Sequence, residues 1–224
     1  MLWYKNWLEL RARFLVLVVL IALPYAFIAP RVTGGQPGDR LARISSTMHA
    51  TAHYFGWPAF AVLFAGAGIA ALGAPGARNR VHPAMQFTLS LPLTRTRLVL
   101  VRAAVGAMVY SALIAAVLAA VLVGSPALRA GVEFPELLIY FFTAVAGATT
   151  AYAAAVFGAA LLADDGHVLA GFLVLLPLWQ LQSRVSWLAP PPFGHVNWLL
   201  LAFNAAASAA LLLAAIRVAA RRQY

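Results

Sequence analysis

Cysteine is absent from the chain, and acidic residues are nearly so, with six Asp+Glu among 224 residues. Without cysteine there is no disulfide, no thiolate metal site and no thiol nucleophile. Charge of both signs together reaches only 10% of the residues, against about a quarter in an ordinary soluble domain. That is too little to coat a soluble fold of this size, so a soluble globular protein is excluded. The chain also lacks any Gly-Lys pair, and with it the Gly-x-x-x-x-Gly-Lys-(Ser/Thr) loop that cradles nucleotide phosphates. The stretch after Arg13 runs through Leu23-Pro24-Tyr25-Ala26-Phe27 with no convincing small-residue cleavage site, which argues against a cleavable signal peptide.

What fills the sequence instead is apolar: 63% hydrophobic residues and a mean hydropathy of +0.86. A bilayer-spanning helix needs roughly 20 such residues. Six stretches meet or approach that length, namely 14–29, 55–74, 98–123, 137–163, 168–182 and 196–216. The reading is therefore an all-α polytopic membrane protein with six transmembrane helices in a single domain, 1–224. Arg102 falls in the third stretch. Its cost of about +3 kcal/mol is outweighed by Leu, Ile and Val at roughly −0.3 to −0.6 kcal/mol each, and it is expected to snorkel from the nearby helix end. The fifth stretch is short, holds Pro177 and precedes Pro190-Pro191-Pro192, so a broken or re-entrant element is expected there.

The basic excess, a formal +10, is distributed between the apolar stretches and not in one polar stripe, which argues against a nucleic-acid partner. With the N-terminus inside, eleven basic residues fall on the inner side (Lys5, Arg11, Arg13, Arg78, Arg80, Arg95, Arg97, Arg102, Arg217, Arg221, Arg222). Five fall outside (Arg31, Arg40, Arg43, Arg129, Arg184). The positive-inside rule then puts both termini in the cytoplasm.

Two segments stand out. Before the first stretch, Trp3, Tyr4, Trp7, Leu10 and Phe14 share one side of a helix while Lys5, Glu9 and Arg13 lie opposite. That pattern predicts an N-terminal interfacial helix lying flat on the inner leaflet, in contact with the lipid bilayer. Between the second and third stretches, Pro83 suits the first turn of a short helix, Pro92 ends it, and Thr94 is placed to cap the third span. This cytoplasmic segment carries Met85, Phe87, Leu89 and Leu91, apolar surface that wants a partner, next to Arg95 and Arg97.

The N-terminal Trp-Leu-Glu-Leu-Arg-Ala-Arg-Phe, the six spans and the run Phe87-Thr88-Leu89-Ser90-Leu91-Pro92-Leu93-Thr94-Arg95-Thr96-Arg97-Leu98 together resemble the membrane subunits of type-2 ATP-binding-cassette (ABC) exporters. The resemblance implies that this run belongs to a cytoplasmic coupling helix between spans two and three that docks on a separate ABC ATPase. It implies a non-catalytic permease subunit with no cofactor of its own, ATP being bound by the partner. It further implies pairing with a second copy or a similar permease, and a bacterial cytoplasmic membrane location. Asp164 and Asp165, in the second inner loop, are expected at the same ATPase contact. Read as paired catalytic carboxylates they are weak, because a helix stop and tight turn need such residues.

Other signals carry less. His49 and His53 have i, i+4 spacing, but no third ligand is near in sequence. Gly66-x-Gly68-x-x-Ala71 lies inside an apolar stretch with no preceding strand and reads as helix packing. The deep polar groups of the spans are neutral, such as Thr149, Thr150, Gln180 and Asn204. Absence of a mid-membrane charge weighs against an ion-driven secondary carrier. A membrane scaffold or assembly protein, or a membrane enzyme, is the alternative of another class.

Overall fold

The computed structural model describes residues 2–22, 94–124, 126–161 and 196–221. Among these, every regular element is a helix. Helix α1 is Leu2–Leu17, and it runs on without a break into a π-helical turn, Val18–Ala22. Helix α2 is Arg95–Gly124, α3 is Pro126–Gly131, α4 is Phe134–Leu161 and α5 is Trp198–Arg221.

Local chemistry sets the helix ends. The Thr94 hydroxyl accepts from the Arg97 amide at 3.4 Å and its carbonyl accepts from the Leu98 amide at 3.1 Å, so Thr94 is the N-cap of α2. Gly124 ends α2 and Pro126 opens α3, the usual placement of each residue at a helix boundary. At the start of α4 the Glu136 carboxylate reaches back to accept from the Glu133 amide at 3.2 Å, one half of a capping box. Asn197 caps α5, its side-chain oxygen accepting from the Leu200 amide at 3.0 Å.

Helices α2 and α4 form an antiparallel pair joined through α3. Near the start of α2, Ala103 meets Tyr152, which lies late in α4; near the end of α2, Leu118 and Val121 pack with Leu137, Tyr140 and Phe141, which lie early in α4. Helix α4 packs against both α2 and α5, most extensively against α5, while α1 and its π turn pack on α2. Small residues permit this closeness: Ala148, Ala151, Ala155 and Ala159 are fully buried along α4. Within lipid, where apolar surface gains nothing by leaving the solvent, such backbone approach is what helix association rests on.

The outer surface identifies the solvent. Leu100, Ala104, Met108, Ala112, Ala115, Ala119 and Val123 form one exposed stripe along the whole of α2, while the opposite face is buried and also apolar. A helix apolar on both its packed and its exposed face belongs in a bilayer. Three helices are long and apolar enough to cross one: Thr96–Gly124, Phe134–Leu161 and Trp198–Val218. They correspond to the third, fourth and sixth expected spans, each starting or ending a few residues from the expected limits. The second and fifth expected spans, and the re-entrant element, lie outside the described residues.

One expectation, that for Arg102, is revised, and the N-terminal segment is seen in more detail. The N-terminal segment and the beginning of the first span are one continuous helix, and its apolar side is divided. Leu10 is 4% exposed and Phe14 packs on the core, but Trp3 and Trp7 are 49% and 42% exposed. Asn6, with Leu10 and Leu17, completes the buried face, because contact with α2 is narrower than the apolar arc of the helix. Arg102 does not snorkel to an exposed position. It is 5% exposed, about two turns into α2, and the residue has interactions within the protein.

Candidate functional site

The expected docking region is described at its α2 end. Arg95 and Arg97 occupy the first turn of α2, and Arg97 is exposed. The antiparallel pairing brings this turn and the end of α4 at Leu161 to the same end of the helix pair, opposite α3. The chain continues from that end of α4 toward Asp164 and Asp165. Those two residues, and Met85, Phe87, Leu89 and Leu91, lie outside the described residues, as do His49 and His53.

Inside the bundle, polar atoms gather at two levels. At the first, Tyr110 and Tyr152 stack across α2 and α4 with ring centroids 5.8 Å apart and planes at 28°. The Tyr152 hydroxyl donates to the Ala103 carbonyl at 2.9 Å. A tyrosine buried in an apolar seam needs a partner for its hydroxyl, and the Ala103 carbonyl within α2 supplies it.

At the second level, Thr150 on α4 meets Asn204 and Ser208 on α5. The Thr150 hydroxyl lies 3.0 Å from the Asn204 side-chain oxygen, 3.2 Å from the Asn204 carbonyl and 3.2 Å from the Ser208 hydroxyl. Asn204 and Ser208 are 3% and 6% exposed, Thr150 partly buried. Other hydroxyls nearby turn to their own helix: Ser111 to the Ala107 carbonyl, Thr143 to that of Ile139 and Thr149 to that of Val145. Thr150 instead bonds across helices.

Sequence reasoning named Thr150 and Asn204 separately and missed Ser208. The i, i+4 spacing of Asn204 and Ser208 was the available signal, since it puts both on one face. Among the described residues, no three His, Cys, Asp or Glu side chains gather as metal ligands would.

The fold and its surface define a helical integral membrane protein. No family model matches the chain, nor does any curated protein or solved structure.

Proposed function

We propose that the chain is the permease subunit of an ABC exporter, forming a substrate pathway as a pair and driven by a separate ATPase. The observation that carries this reading is the run Phe87 to Leu98, which leads into the capped, basic first turn of α2. Helix α2 has 30 residues, about 45 Å at ~1.5 Å per residue, against a hydrocarbon core of about 30 Å. A helix of that length tilts or projects, and can carry a push at its basic end into the membrane. The same end of the helix pair leads on to Asp164 and Asp165, so both inner loops are available to one ATPase surface. On this reading Arg95, Arg97 and Arg102 mark the cytoplasmic end, and Arg129, Glu133 and Glu136 the outer one, in keeping with the positive-inside rule.

Transport is then a two-state change: ATP closes the ATPase pair, the coupling segment moves with it, and the spans exchange access. The test is whether a Walker-type ATPase co-purifies with this chain, followed by ATP hydrolysis in the reconstituted complex. Leu89→Asp puts a charge into the apolar docking surface and should weaken attachment roughly tenfold or more. Reversal of Arg95 and Arg97 together should lower transport-coupled hydrolysis while insertion in the membrane is unchanged. Failure of any such ATPase to attach rejects this assignment and favours a scaffold role, and normal attachment and coupling in both variants removes Leu89, Arg95 and Arg97 from the docking surface.

A further inference from the structure

The contact between Thr150, Asn204 and Ser208 leaves a hydrogen-bonding deficit. Thr150 has one hydroxyl hydrogen to give, so it donates to Asn204 while Ser208 donates to it. The Asn204 amide therefore meets Thr150 at its oxygen end, and its two N–H bonds meet no partner among the described residues. Turning the amide over exchanges which end is met and leaves the deficit in place.

Magnitudes decide what this means. An interhelical hydrogen bond inside a membrane contributes about 0.6 kcal/mol on average, whereas an amide buried without a partner costs roughly 2–7 kcal/mol. As a clasp between α4 and α5 alone, the cluster would be a net loss. The three side chains carry no charge, so the missing partner is not required to carry one. Since one asparagine end and two hydroxyls converge, the cluster offers the several polar contacts that hold a buried water.

We propose that the Thr150–Asn204–Ser208 seam between α4 and α5 is a hydrated polar site within the membrane, where water completes the Asn204 amide. Under the permease reading, which hydration itself does not require, this makes the seam a stretch of the pathway suited to uncharged oxygen-bearing groups.

The absence of native cysteine supplies a clean assay. Ser208→Cys and Thr150→Cys are made singly in the full chain and treated in membranes with a small, charged methanethiosulfonate reagent. Ala153→Cys, at a fully buried position of α4, is the dry reference. Thiols react as thiolates, and each unit by which a dry apolar site raises a thiol pKa removes about tenfold of the thiolate. The expected result is modification of both seam cysteines at least about tenfold faster than Ala153→Cys, with that advantage lost when Asn204→Leu is added. Seam cysteines no faster than the reference overturn the proposal, as does an advantage that survives Asn204→Leu. Either seam reporter decides the matter if the other does not fold. Because the assay reads thiol reactivity at the seam and not ATPase attachment or hydrolysis, failure here is distinct from failure of the permease assignment.

Discussion

Tyr152 shows how much a single buried polar atom settles. Its ring stacks on Tyr110 and its hydroxyl reaches the Ala103 carbonyl, tying α4 to the early part of α2. Tyr152→Phe keeps the ring and removes the bond, and should destabilise the helix pair by about 0.5–1.5 kcal/mol, read as earlier thermal unfolding in detergent. An unchanged unfolding temperature would mean that the bond adds nothing beyond the stacking. At this scale the sequence was partly legible. Leu10 lies on the apolar side that its periodicity marked, though it is covered by the protein and not by lipid, and Arg102 is enclosed where an exposed snorkelling position was expected. Periodicity assigns a face to a residue but does not say whether the protein or the lipid covers that face.

At the scale of elements, composition alone found the long helices, because a run of apolar residues in lipid has to satisfy its own backbone and the helix does so. Their ends followed less evenly. Thr94 was recognisable as a cap, whereas the sixth span was expected from Val196 and its helix begins at Trp198 behind the Asn197 cap. Asn197→Ala should cost about 0.5–2 kcal/mol, measured in the same unfolding assay, and Asn197→Asp should restore most of it. Equal stability of the alanine variant would reassign the start of α5. The π-helical turn at Val18–Ala22 had no counterpart in the sequence reading, since one extra residue in a turn of Val, Leu, Ile and Ala leaves no mark on composition.

For the whole molecule, the charge distribution predicts sidedness that chemistry can check. Arg129→Cys, on α3, should react with an impermeant thiol reagent in intact cells, and Arg221→Cys, at the end of α5, should react only after the membrane is opened. The reverse pattern would invert the topology and remove the docking surface from the cytoplasm. The sequence by itself determined that this is a helical membrane protein, because its shortage of charge and its long apolar runs leave lipid as the solvent in which it can fold. It also marked Arg95 and Arg97 as the basic start of a long span. The packing of α2 on α4, the enclosure of Arg102 and the meeting of Thr150 with Asn204 and Ser208 were decided by tertiary structure alone. The physical reason is that nearly every face of these helices is apolar, so hydrophobicity cannot choose between them; shape, small residues and a few buried hydrogen bonds make the choice.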